Sequence, residues 1–183
     1  MALRLKLEDW QLALPCARLR EAAARLLTEG TVKVVIGYGE RGPAFITKPE
    51  DAARLVWNET CFANLTTYLK RNEVRALGKP AIVVKGCDER GLVVLEKESQ
   101  VERAQVHNIG MPCPGVGQPK CAACDTREPR FADEVIGADI VPPPTPTADR
   151  YAALGPLLQK SSEERLAFLS YAADHQHAPR LVR

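Results

Sequence analysis

Apolar positions recur at helical spacing over 15–28, where Cys16, Leu19, Ala23, Leu26 and Leu27 share one face and Arg18, Arg20, Glu21 and Arg25 fall mostly on the other. Pro15 suits a first helical position and Gly30 a stop, so the pattern predicts a helix here, preceded by irregular residues 1–11. The period then changes. A β-branched run over 32–38 that ends in a glycine turn predicts a first strand, and 43–47 reads as its hairpin partner or as the start of a connection. A short helix is expected over 49–56 and another over 61–70, where Cys61, Leu65, Tyr68 and Leu69 lie on one face. After the Gly78-Lys79-Pro80 break, 81–85 reads as a buried strand, Asp88 as the cap of a helix running to about 98, and 104–109 as a third strand.

The order β-α-β-α-β implies parallel strands joined by right-handed crossovers. The expected fold class is therefore α/β: a small parallel sheet with flanking helices, a cysteine-rich metal-binding loop and a short helical C-terminal tail. In such sheets ligands gather at the carboxyl ends of the strands. Gly86-Cys87 directly follows the second strand and Gly110-Met111-Pro112-Cys113 the third, which puts both thiols on that edge. Beyond them Pro114, Gly115, Gly117 and Pro119 lead into Cys121-Ala122-Ala123-Cys124 with no regular pattern.

Three segments follow from this reading: an α/β domain over 1–140, a stiff proline-rich linker over 141–149, and a helical tail over 150–183. In the tail Ser161 and Glu164 form a capping box ahead of Leu166, Phe168 and Leu169. One isolated amphipathic helix cannot bury its own face, so the tail is expected to pack back or to dock on a partner.

Charge narrows the partners. The 183 residues carry 25 Lys and Arg against 23 Asp and Glu, a formal net charge of +2 with no basic run, which argues against nucleic acid. No stretch approaches the roughly 20 apolar residues of a transmembrane helix, and the charged N-terminus lacks a signal peptide's apolar core, so a cytoplasmic location is expected. There thiols stay reduced, and the six cysteines read as core residues, ligands or nucleophiles rather than as disulfides.

Cys87, Cys113, Cys121 and Cys124 can form a four-thiolate site: a C-x-x-C turn aims two sulfurs at one centre, and two strand-end loops add the others from one side. Their separations of 26, 8 and 3 residues match neither the compact ferredoxin run nor the paired knuckles of a zinc ribbon. Zinc and an iron-sulfur cluster both remain open at this point. Cys16 and Cys61 lie on apolar helical faces and read as core, with Cys61 also a candidate fifth sulfur if Thr60-Cys61 opens a helix whose positive end favours thiolate. A competing reading makes Cys87 a nucleophile on a strand-to-helix turn with His107 as its base, and leaves the C-x-x-C unexplained.

Several ordered motifs then suggest a family. Lys85-Gly86-Cys87-Asp88-Glu89-Arg90, Ile109-Gly110-Met111-Pro112-Cys113-Pro114-Gly115-Val116, Lys120-Cys121-Ala122-Ala123-Cys124 and Asp133-Glu134-Val135-Ile136-Gly137 resemble the core of the β subunits of deazaflavin-reducing hydrogenases and related formate dehydrogenases. Trp57-Asn58-Glu59-Thr60-Cys61 and the upstream helix also fit. The resemblance implies one 4Fe-4S cluster on Cys87, Cys113, Cys121 and Cys124, with Cys61 outside the ligand set. It also implies electron exchange with FAD, a deazaflavin or another redox partner inside a multi-subunit oxidoreductase. The chain departs from its longer relatives in lacking a C-x-x-C-x-x-C ferredoxin run, and residues 15–19 lack the glycine pair associated with the family's flavin region. That departure counts against FAD as an additional cofactor here, and zinc is the alternative to the cluster. The expected role is an electron-transfer subunit, without catalysis of its own, whose partners carry flavin or ferredoxin-type clusters. The alternatives are a zinc-stabilised structural subunit of a redox complex and a flavin-bearing reductase subunit.

Overall fold

The computed structural model describes residues 7–140 and 152–175. The chain divides into two compact units, Met1–Pro146 and Thr147–Arg183. The first is built on a five-stranded sheet of order β2-β1-β3-β4-β5, from β1 (Val34–Gly39), β2 (Gly42–Ile46), β3 (Pro80–Val84), β4 (His107–Gly110) and β5 (Glu134–Val135). Strands β1, β3, β4 and β5 run parallel, and β2 returns antiparallel beside β1 through the turn where Gly39 faces Gly42. The fold is α/β, with a mostly parallel sheet whose one antiparallel strand lies at an edge, as is common in such sheets.

The central strands read as unbroken apolar runs because both faces are covered. Val34, Val35, Ile36, Ala81, Ile82, Val83 and Val84 are all buried and belong to one core with Leu19, Leu26, Leu55, Leu65, Leu92 and Ile109. Helix α1 (Leu7–Thr28) supplies Leu19, Ala23 and Leu26, the face expected from its spacing. It starts earlier than expected, with Pro15 inside it. Proline removes one N–H and its ring crowds the carbonyl four residues back, which bends a helix without obliging it to end when good helix formers precede it.

Between β1 and β3 the expected helices are tighter and shorter. Pro49–Arg54 and Leu65–Lys70 form 3-10 turns, and α2 (Asn72–Leu77) completes the crossover. Asn64 caps the second turn, its side chain accepting the Thr66 N–H at 3.0 Å. That cap begins three residues past Cys61, so Cys61 opens no helix; the side chain is fully buried in the core beside Trp57 and Leu65.

After β3 the chain turns at once into α3 (Gly86–Lys97), one turn earlier than Asp88 as cap would give. Lys85 occupies the capping position, and Asp88, in the first turn, accepts the Lys85 N–H at 3.4 Å. The second unit holds a short 3-10 turn (Ala152–Leu154), α4 (Gly155–Leu158) and α5 (Ser162–His175). The predicted capping box is present: the Glu164 N–H donates to Ser161 Oγ at 3.2 Å and the Ser161 N–H to Glu164 Oε2 at 2.9 Å. The expected proline-rich linker over 141–149 lies outside the described residues. No described helix is long and apolar enough to cross a membrane.

Candidate metal centre

The parallel pairing of β3 with β4, continued by the Met111 N–H donating to the Val84 carbonyl at 2.9 Å, brings two strand ends side by side. Cys87 leaves one of them in the first turn of α3, half-buried, and Cys113 leaves the other, buried. The polypeptide then makes an excursion through a 3-10 turn (Pro119–Ala123) that carries Cys121, with Cys124 immediately after it. Gly115 and Gly117 take φ of 110° and 65°, values that L side chains rarely adopt, which lets the loop fold back tightly.

Residues 126–132 return across both strand ends. A Cβ on Gly86 would lie 2.5 Å from the Thr126 carbonyl oxygen and 2.6 Å from that of Glu128; one on Gly110 would lie 2.7 Å from the side chains of Pro129 and Ala132. The two glycines beside the thiols therefore permit contact between backbones. Two polar anchors, buried Glu89 and half-buried Arg127, fix the returning segment. Glu89, on α3, accepts the Arg130 N–H at 2.7 Å and the Phe131 N–H at 3.2 Å. The Arg127 guanidinium donates to the Pro114 carbonyl at 2.9 Å and the Cys121 carbonyl at 2.5 Å, while the Arg127 carbonyl accepts the Cys113 N–H at 2.9 Å. One residue thus ties together the arms bearing Cys113 and Cys121.

Burial pushes the Cys113 thiol above its ordinary range, against the Gly115 N–H and Lys85, which favour its thiolate; charge on Cys121 or Cys124 would raise it further. Burial, then the adjacent Asp88 carboxylate, pushes Cys87 up from 9.0 to about 11, with Cys113 adding to the effect. Cys124 has its Sγ 3.8 Å from Thr126 Oγ1. All six cysteines are free thiols.

Among the described residues no three His, Cys, Asp or Glu side chains are drawn into a metal-coordinating group. The donor chemistry nonetheless fits a four-thiolate centre. Cys113 is buried and Cys87, Cys121 and Cys124 are half-buried, all four are free thiols on the strand ends and the loop that follows them, and thiolate is the ligand form that zinc and iron-sulfur clusters take.

The remaining two cysteines belong to the hydrophobic core or pack against it. Cys16 packs against the core from α1, 3.5 Å from the Leu55 carbonyl. Cys61 takes the Asn58 N–H on its sulfur at 3.3 Å, and burial raises its thiol despite that bond and the influence of Lys85. The nucleophile reading loses its base. His107 pairs with Ala81 at the amino end of the strands and lies 3.3 Å from Glu134, a strand's length from Cys87. A thiol held near 11 is also the reverse of an activated nucleophile.

Sequence reasoning missed the buried polar group beneath this edge. Lys85, Asp88 and Tyr38 are each at most 4% exposed, and Lys85 Nζ pairs with Asp88 Oδ2 at 2.8 Å. Lysine is ordinarily exposed. The available signal was position, since Lys85 directly follows four buried strand residues and precedes a glycine-cysteine turn.

No family model matches the chain, and no curated protein matches it. Among solved structures it is similar to a chain of the F420-reducing NiFe hydrogenase complex from Methanosarcina barkeri, studied as a xenon derivative. The TM-score is 0.42 at 16% identity, over 54% of this chain and 36% of that one. This chain thus spans little more than a third of that structure's length. A similarity of this size fixes neither family nor activity.

Proposed function

We propose that Cys87, Cys113, Cys121 and Cys124 hold one 4Fe-4S cluster and that the chain is an electron-transfer subunit of a multi-subunit oxidoreductase. What supports this reading is that Cys87 and Cys113 leave adjacent parallel strand ends and that Cys121 and Cys124 lie on the loop that follows, all four as free thiols. Such a cluster, when bound, takes up and releases one electron at a potential set by its surroundings.

The protein's own groups suit that task. Arg127 and Glu89 hold the loop arms in place, which limits rearrangement between two charge states. The Gly115 N–H favours charge on the Cys113 sulfur, and Met111 and Val116, both buried, keep apolar surface beside it. Cys87, Cys121 and Cys124 are half-buried rather than sealed, which leaves the edge within reach of a redox partner carrying flavin or a further cluster.

The test is an anaerobic redox titration of the purified chain, followed by visible absorbance and electron paramagnetic resonance. The reading expects absorbance that bleaches reversibly with one electron per chain and a paramagnetic reduced state. A colourless chain that takes up no electron overturns it. Stoichiometric zinc in such a chain would make the same residues a structural clamp, and tightly bound yellow cofactor in addition to iron would make the subunit a flavin-bearing reductase.

A further inference from the structure

Strand β1 ends at Gly39 and turns back through Gly42 into β2, and a cleft of about 540 Å³ opens beside that turn. Three arginines from separate elements line it: Arg20 from α1, Arg41 from the turn itself, and Arg54 from the end of the 3-10 turn over Pro49–Arg54. Glu40 is the one carboxylate of the lining, so three guanidinium groups meet a single negative charge. Arg20 is half-buried, and its Nε donates to the Leu55 carbonyl at 2.8 Å, which fixes the plane of its guanidinium. Arg41 and Arg54 are exposed, and neither holds an ion pair or a side-chain hydrogen bond among the described residues. Arg18, Arg25 and Arg103 differ in this respect, being paired with Asp139, Glu134 and Asp133 respectively. Like charges gathered at one cleft repel one another, so a convergence of cations without matching carboxylates opposes folding and is relieved by a bound anion.

We propose that Arg20, Arg41 and Arg54 form a binding site for a phosphate group, free or carried by a small molecule. A guanidinium presents two parallel donors that match two phosphate oxygens, and it keeps its charge at any physiological pH. The cleft has the volume of a small-molecule site, and Pro43, Ala44 and Val56 give it an apolar wall against which the rest of a phosphorylated ligand can lie. Gly42 has φ of 124°, and a Cβ there would meet nothing within 4 Å, so the backbone of the turn is open to a ligand. The position also fits, because ligands of α/β sheets gather at the carboxyl ends of the parallel strands, where β1 ends. The site uses no cysteine and holds whatever the thiols bind.

The experiment titrates inorganic phosphate, ADP and adenosine into the full-length chain at low ionic strength, with binding followed by calorimetry. Phosphate and ADP are expected to bind and adenosine, which lacks the anion, to stay free. Equal affinity for phosphate and ADP would identify free phosphate as the ligand; tighter binding of ADP would identify a phosphate carried by a larger molecule. Arg41→Ala and Arg54→Ala are each expected to weaken binding by about tenfold or more, the worth of a hydrogen bond to a charged group. Both side chains are exposed and unbonded among the described residues, so the thermal midpoints of these variants should match wild-type. Lys70→Ala removes an exposed cation outside the cleft and should leave the affinity unchanged. A wild-type chain that binds neither phosphate nor ADP overturns the proposal, as does a loss in Lys70→Ala equal to that in the arginine variants, which would reduce the binding to general surface charge.

Discussion

Cys121 and Cys16 differ in what surrounds them more than in exposure, and that difference should decide what each contributes. Cys121 sits in the 3-10 turn clamped by Arg127, whereas Cys16 packs on α1 against the core. Cys121→Ser is expected to abolish bound iron and visible absorbance, and Cys16→Ser to leave both near wild-type; equal iron in the two variants would contradict the ligand assignment. A second expectation concerns the metal-free chain. With the Cys87 thiol raised from 9.0 to about 11, the folded state keeps a proton that the unfolded state releases. The folded chain binds more protons than the unfolded chain between those values, so this contribution to stability is complete below pH 9 and lost as pH climbs toward 11. Cys61 and Cys113 are raised in the same direction. Urea midpoints of the metal-free chain should fall across that window, and a flat profile would show that the thiols titrate normally. The ligand candidates were legible in the sequence because a C-x-x-C and two strand-end cysteines stand out at known positions. Lys85 was not, because nothing in a single lysine announces that Tyr38, Asp88 and two carbonyls from a distant loop will surround it.

At the level of elements, the strands that were legible are those buried on both faces. The runs at β1, β3 and β4 declare themselves through unbroken apolar and β-branched residues, and the parallel topology then places Cys87 and Cys113 on one edge. Strand β5 has two residues, half-exposed Glu134 and exposed Val135, too short for any periodicity to register. The 3-10 turns over Pro49–Arg54 and Leu65–Lys70 show apolar spacing that a short α-helix shares, and α1 runs through a proline that reads locally as a start. The loop's geometry was hidden for a different reason: its anchors are long-range side-chain bonds. Glu89, 3% exposed, joins α3 to residues 130 and 131 through charge-assisted bonds. Glu89→Gln replaces a charged acceptor by a neutral one and should cost about 1.5–3 kcal/mol in denaturant unfolding, with faster iron loss to chelators. Unchanged stability and chelator resistance would remove Glu89 from the account of how the loop is held.

At the scale of the molecule, every buried member of the hydrophobic core among the described residues falls between Leu19 and Ile136, inside the first unit. Residues 1–146 should therefore fold cooperatively without the rest and bind the same iron as the full chain; a truncated chain that unfolds or loads no iron would show that residues 147–183 complete the fold. In the second unit α5 exposes Leu166, Phe168, Leu169 and Tyr171, so its removal is expected to cost association with partner subunits before it costs the cluster, as measured by co-purification.

The central claim, that four thiolates at the carboxyl edge hold an electron-carrying cluster, is tested most directly by analysing iron, acid-labile sulfide and zinc per chain after anaerobic purification. The account predicts about four irons with matching sulfide and little zinc. Stoichiometric zinc without sulfide, or no metal at all, would contradict it.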